Sequence, residues 1–354
     1  MKSMILKEFL ELRRDKRTMA MIIGLPLILL VIFGYAARFD VTDLKTDVYG
    51  PQAKTVAGQL KDPFDVKETS TSKGKDQAEQ ALREGTVDVA IVTGSSPSEP
   101  STAYINGANL FAAQTAVASI ATSEAPIKPD VLFNPDLETS WVMVPALVGM
   151  IMALIGTLIT AIGLVKERQA GTLEQLAVMP FKPTDVIAGK IVPYFILGAF
   201  DLVLVTVLGC LLFGVPFNGN VLIFALGSAL FLLAVLGLGV LISTVSQNQG
   251  QAMQVAMMSI MPQILLSGMI FPLESMTWGV RWIGYLLPLT WFNKIANGVM
   301  LRDAPLSSLW VPLLVLAAMA VLLLGAAVLR FRRDLAPAMP KIPAKTTATA
   351  GAGR

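Results

Sequence analysis

The sequence predicts a mainly α-helical polytopic membrane protein with six transmembrane helices and an extracytoplasmic α/β domain between the first and second. Three observations lead there. Hydrophobic residues make up 54% of the 354 residues and charged ones only 15%, with a mean hydropathy of +0.64, more than a soluble domain tolerates on its surface. The apolar residues arrive in discrete blocks of about 20, the length that crosses a roughly 30 Å hydrocarbon core as a helix. One long polar stretch, 39–139, separates the first block from the rest and alternates short strands with helices.

Residues 1–18 precede the first block. Ile5, Leu6, Phe9 and Leu12 share one helical face while Lys7, Glu11 and Arg14 occupy the other. The segment therefore reads either as an amphipathic helix on the inner leaflet or as a plain topogenic flank. The first span, 19–38, is expected to stay as an anchor, since Arg38, Phe39 and Asp40 follow it rather than a small-residue cleavage site. The domain at 39–139 is net negative, with Asp40, Asp43, Asp47, Asp62, Asp65 and Asp88 among its acids. Its pattern predicts extended segments at 47–49, 64–69, 86–93, 101–106 and 128–134, with helices at 52–60, 75–84 and 109–121. A unit with so small a core is expected to pack on the membrane domain or on a partner copy.

The remaining spans fall at 140–165, 186–213, 221–245, 252–271 and 309–330, the one at 186–213 being long enough to tilt. Between the last two, 272–308 is apolar but broken by Glu274, Arg281, Pro288 and Lys294. With Trp278, Trp282, Tyr285, Trp291 and Phe292 it reads as a re-entrant or interfacial segment on the outer side, either an external gate or a simple anchor. The tail, 331–354, is rich in Pro, Ala and Thr and reads as disordered. Lys2, Lys7, Arg13, Arg14, Lys16 and Arg17 flank the first span, Lys166, Arg168 and Lys182 lie between the second and third, and Arg330, Arg332 and Arg333 follow the last. Basic flanks stay inside, so both termini are expected in the cytoplasm.

Residue counts exclude whole classes of chemistry. With one cysteine and no histidine, no intrachain disulfide forms, the usual zinc, haem and iron–sulfur ligands are missing, and Ser-His-Asp or Cys-His catalysis is impossible. No G-x-x-x-x-G-K-[ST] phosphate loop occurs; Gly189 and Lys190 are followed by Ile191, with no glycine at the required upstream position. The chain is expected to be neither an enzyme nor the binder of a cofactor, and nothing in it points to nucleic acid. Asp201 stands alone in the third span. A carboxylate there is costly in lipid and should face the bundle or a watery cavity, as a structural Asp or as a substrate or proton site. Pro145, Pro193 and Pro262, and the spacing of Gly149 and Ala153, are signs of kinks and close helix packing.

The insert at 166–185 is the most informative segment. Thr172 and Gln175 form a T-x-x-Q capping box, Gly171 permits the turn before it, and Leu173, Leu176 and Ala177 make a narrow apolar stripe with Glu174 and Gln175 pointing away. Pro180 and Pro183 stop the helix before the third span. An ordinary polar connector explains the charges but not the cap, stripe and double stop together.

The run VKERQAGTLEQLAVMPFKPTDVIAGKIVPY resembles the cytoplasmic loop of type-2 permeases of ATP-binding-cassette (ABC) exporters. FPLESMTWGVRWIGYLLPLTWF resembles the segment before their last span. The resemblance implies a multi-pass subunit of a bacterial-type inner membrane, dimeric with itself or a homologue and driven by a separate ATPase that holds the ATP and Mg. It implies that Gly171, Thr172, Leu173, Glu174, Gln175 and Leu176 form a coupling helix, approached by Lys166, Glu167 and Arg168, with 1–18 as a connecting helix beside it. It implies an external gate near Phe271, Pro272, Glu274, Trp282 and Pro288. The expected cargo is drug-like, lipid or otherwise amphipathic. Two other readings stay open at this level: a sensor or scaffold whose external domain binds a ligand without transport, and a proton-coupled transporter using Asp201.

Overall fold

The computed structural model describes residues 41–96, 99–123, 126–170 and 183–335. The expected inner-leaflet helix 1–18, the first span 19–38, the coupling segment 171–176 and the tail beyond 335 lie outside the described residues.

The polar stretch folds as a three-layer unit. Its elements are β1 Leu44–Tyr49, α1 Ala53–Gln59, β2 Phe64–Ser70, α2 Lys75–Glu84, β3 Val89–Val92, β4 Ser101–Asn106, α3 Leu110–Ala121 and β5 Ile127–Leu132. The strands form one sheet in the order β2-β1-β3-β4-β5, parallel except for the antiparallel pair β3 and β4. Side chains alternate across it with the period of two that a pleated strand imposes. Leu44, Val48, Val89, Ile91, Ala103 and Ile105 face α1 and α3, where Ala53, Val56, Ala113, Ala116 and Ile120 meet them. Tyr49, Ala90 and Tyr104 face α2 and its Ala78 and Leu82. β1 begins three residues before the local pattern suggests, because Leu44 and Thr46 find partners in Phe64 and Val66 of β2. β3 is shorter than its alternating run because only Val89–Val92 pairs with β1.

The helical part comprises α4 Thr139–Gln169, α5 Pro183–Phe213, α6 Val221–Val245, α7 Gln249–Leu266, a 3-10 turn Leu273–Ser275, α8 Trp278–Tyr285, α9 Pro288–Met300 and α10 Leu306–Leu335. Asn220 starts α6 by accepting from Leu222 N at 2.8 Å, and Asn248 starts α7 by accepting from Gln251 N at 2.8 Å, the side-chain caps that helix starts require. α6 is the axis, packed along α4, α10 and α9. Two glycines bring backbones together there: a Cβ at Gly237 would stand 3.0 Å from Leu324 N, and one at Gly239 2.8 Å from Thr157 O. Small residues at such crossings are how membrane helices pack closely.

Among the described residues, four helices are long and apolar enough to cross a membrane: Thr139–Gln169, Ile191–Phe213, Val221–Val245 and Leu306–Arg330. The chain is thus a mainly helical, multi-pass membrane protein with a β/α domain ahead of these helices. The block expected to span at 252–271 is different. Its helix, α7, stops at Leu266, the chain turns at Gly268 with φ +83, and Gln249, Gln251, Gln254 and Gln263 dilute its hydropathy. Eighteen residues rise about 27 Å, near the lower limit for crossing the hydrocarbon core.

The segment 272–308 does not lie at the surface as a whole. α8 exposes Trp278 (83%) and Trp282 (49%), whereas α9 buries Leu289, Phe292, Ile295, Ala296, Val299 and Met300 completely. Phe292 stacks on Phe231 with centroids 4.7 Å apart and fills the notch left by Gly149. The aromatic content that suggests an interfacial anchor therefore divides, with α9 a core element. Between the sheet domain and the ends of α7, α9 and α10 lies a cavity of about 490 Å³.

Candidate functional site

The last turn of α4 delivers the chain to the predicted coupling segment. Lys166 is exposed, while Glu167 and Arg168 are half-buried. Arg168 Nη1 donates to Ser243 O at 3.1 Å and Ser246 O at 3.3 Å. These carbonyls close α6, whose final four carbonyls have no partner within their own helix. A cation is favoured there by the helix dipole as well as by the hydrogen bonds. The α6 end is further tightened by Ser243 Oγ and Thr244 Oγ1, which donate to carbonyls three residues back at 2.6 and 2.7 Å. Gln169 Oε1 accepts from Gln249 Nε2 at 3.2 Å. The end of α4 is thereby fastened to the turn between α6 and α7. Gly171, Thr172, Leu173, Glu174, Gln175 and Leu176 lie outside the described residues, so the structure brings together only the three approach residues and this joint.

The five gate residues differ in burial and surroundings. Phe271 and Pro272 are buried and Glu274 half-buried; Phe271 belongs to a small apolar cluster with Leu265, Leu266, Leu273, Met276 and Val280. Pro272 and Glu274 line the cavity beside the sheet domain. Trp282 points away on the open side of α8, and Pro288 is the first residue of α9, where its missing N–H costs nothing. The α8–α9 hairpin is pinned by Thr290 Oγ1 donating to Gly284 O at 2.6 Å and Trp291 Nε1 donating to Tyr285 O at 2.8 Å. Asp201 is half-buried on α5.

The structure adds residues that composition does not single out. Arg302, in the connection between α9 and α10, lies against Gly85 at the end of α2 and makes a long 3.5 Å contact from Nη1 to Arg83 O. Arg83 returns an ion pair to Asp303 at 3.2 Å. Burial lowers the Arg302 pKa to about 10, opposed by the nearby Asp88. Burial, and then repulsion from Glu274, raise that of Asp88, against hydrogen bonds from Asn109 Nδ2 and Lys45 N. The only signal for this contact in the sequence is a short charged connection, Arg302 and Asp303, between apolar runs. Among the described residues no three His, Cys, Asp or Glu side chains gather where they could hold a metal ion.

Residues 16–329 match the model of the ABC-2 family transporter proteins. The chain is 29% identical to the probable multidrug ABC transporter permease YbhS of Escherichia coli, over 94% of this chain and 97% of that one. It is 28% identical to the probable multidrug ABC transporter permease YbhR of the same organism, over 89% and 94%. The inner membrane transport permease YhhJ of E. coli is 32% identical over 57% of this chain and 54% of its own length. The chain belongs to the ABC-2 family of membrane transporter proteins.

Proposed function

We propose that this ABC-2 permease subunit works as half of an exporter, two copies or one copy with a homologue enclosing the pathway, moved by a separate ATPase that binds ATP and Mg. The observation that carries the reading is the joint at the end of α4, where Arg168 and Gln169 tie the approach to 171–176 onto the α6–α7 turn. A push on the loop between α4 and α5 travels directly into α6, the helix against which α4, α9 and α10 pack. The rest of the layout belongs to the same proposal. A span at 19–38 and the α7 segment raise the count to six, the sheet domain lies outside between the first two spans, and both termini are cytoplasmic. Gly171 to Leu176 form the helix that docks on the ATPase, and Pro272 and Glu274 belong to an outer gate. Two relatives are named as probable multidrug permeases, which supports a drug-like or otherwise amphipathic cargo.

The test is Leu173→Asp and Leu176→Asp in the chain co-expressed with its ATPase. The expected variants insert and dimerise normally but hydrolyse ATP without moving substrate in vesicles. Unchanged transport in both would reduce 171–176 to a connector, and failure of any ATPase to co-purify with the wild-type chain would remove the exporter reading itself.

A further inference from the structure

The cavity beneath the sheet domain holds hydrogen-bond acceptors that the protein itself does not fill. Asn293 is only 6% exposed; its Nδ2 lies 3.3 Å from Ser267 Oγ, while its Oδ1 is buried with no partner. One turn later on the same face of α9, Asn297 Oδ1 is likewise buried and unpartnered. Both residues line the cavity, and so does Glu274. Glu274 makes no hydrogen bond or ion pair with another described residue, and its charge weighs on Asp88. Buried polar atoms are normally paired, so two amide oxygens and a free carboxylate on one wall call for a donor from outside the chain.

The cations on that wall each face an acid or an aromatic ring of the chain itself. Arg302 faces Asp88 and the end of α2, Lys45 offsets Asp88, and Lys294 Nζ stands over the rings of Tyr285 and Trp291 at 4.9 and 5.0 Å. An anionic ligand would meet the carboxylates of Glu274 and Asp88 in the same lining. The remaining wall includes Val142, Met143, Val311 and Pro312, which suits an apolar body. At about 490 Å³ the space lies within the range of small-molecule sites.

We propose that this cavity binds an amphiphile with a protonated amine or guanidine head. The head directs its N–H groups to the Asn293 and Asn297 amide oxygens, its charge is set against Glu274, and its apolar part lies along Val142, Val311 and Pro312. The site is defined by binding alone and stands apart from the transport reading, because the sheet domain and the bundle of one chain build it without an ATPase.

The test uses the purified full chain in nanodiscs of zwitterionic lipid, titrated with 2-(1-naphthyl)ethylammonium and followed by naphthalene fluorescence, with partition into empty nanodiscs subtracted. Naphthalene-1-acetate is the comparison anion. The expected result is saturable binding of the ammonium, at least about tenfold tighter than the carboxylate, weakened about tenfold or more by Glu274→Gln and by Asn293→Leu. Glu274→Gln alters a half-buried side chain without changing its size, and together with Asn297→Leu it carries the test should Asn293→Leu fail to fold. Absence of saturable ammonium binding, equal binding of the carboxylate, or unaltered affinity in Glu274→Gln and a folded asparagine variant would each overturn the proposal.

Discussion

Two arginines hold opposite ends of the bundle by the same device and in opposite circumstances. Arg168 closes α6 by donating to Ser243 O and Ser246 O. Arg302 lies at the end of α2 against Gly85, with a long contact to Arg83 O. Both place a fixed positive charge at the negative end of a helix dipole. Around Arg168 the carbonyls, hydroxyls and glutamines pair among themselves. Around Arg302 lie two carboxylates, a cavity and two unpartnered amide oxygens. A saturated contact makes a joint that passes motion on, whereas an unsaturated one leaves room for a ligand. That contrast is why we place coupling, as proposed, at one end of the molecule and the proposed ligand site at the other.

The largest effect is expected where the contact is saturated. Arg168→Ala strands the Ser243 and Ser246 carbonyls, both on buried residues, and should lower stability by about 1.5–3 kcal/mol, the worth of hydrogen bonds to a charged group. Unfolding of the purified chain in detergent would measure it. Transport should fall while ATP hydrolysis continues, and Arg168→Lys should recover only part of the loss because the shorter side chain carries its charge less far and lacks the planar group that aims both N–H groups of Nη1 at the two carbonyls. Gly85→Ala comes next. Its φ is +71 and a Cβ would stand 1.8 Å from Arg302 Nη1, so the substitution both strains the backbone, by about 1–2 kcal/mol, and displaces the arginine. Faster hydrogen exchange at the end of α2 and in the α9–α10 connection, with α4 and α6 unchanged, would be its signature.

Arg83→Ala tests the neighbouring ion pair, which is half-exposed on both sides. A loss of no more than about 1 kcal/mol is expected, shrinking further in high salt. The smallest effect concerns pH. The Asp88 carboxyl has a raised pKa in the folded state, so its contribution favours folding below its unfolded pKa and is lost as pH rises through the folded one. Asp88→Asn should therefore be somewhat more stable than wild type near neutral pH, with the gap closing in mildly acidic buffer. An Asp88→Asn variant destabilised at neutral pH would show that its attraction to Arg302 outweighs the burial term.

Most of the architecture is legible in local sequence. The spans at 140–165, 186–213, 221–245 and 309–330 coincide with long apolar helices because about 20 uninterrupted apolar residues leave few alternatives. The strand–helix alternation of the sheet domain follows from periodicities of two and 3.6 read over short windows. The segment 252–271 stands apart from those four spans because Gln254 and Gln263 lower its hydropathy and its helix gives way to a turn at Gly268. The gate residues read from 271–288 differ in burial, which an aromatic pattern does not foretell, since it does not say whether a helix faces lipid or a neighbouring phenylalanine.

By itself, the sequence determined that this chain is a multi-pass membrane protein with one cysteine and no histidine, carrying a polar insert after its second apolar block. Those conclusions rest on composition and on contacts within a few residues. Only the tertiary structure decided that Arg168 closes α6, that α9 is buried against Phe231, and that Arg83 meets Asp303 across a separation of 220 residues. No local pattern encodes such pairs. They form because burying the apolar faces of α4, α6, α9 and α10 brings distant polar groups to the same place, where each must then find a partner or a ligand.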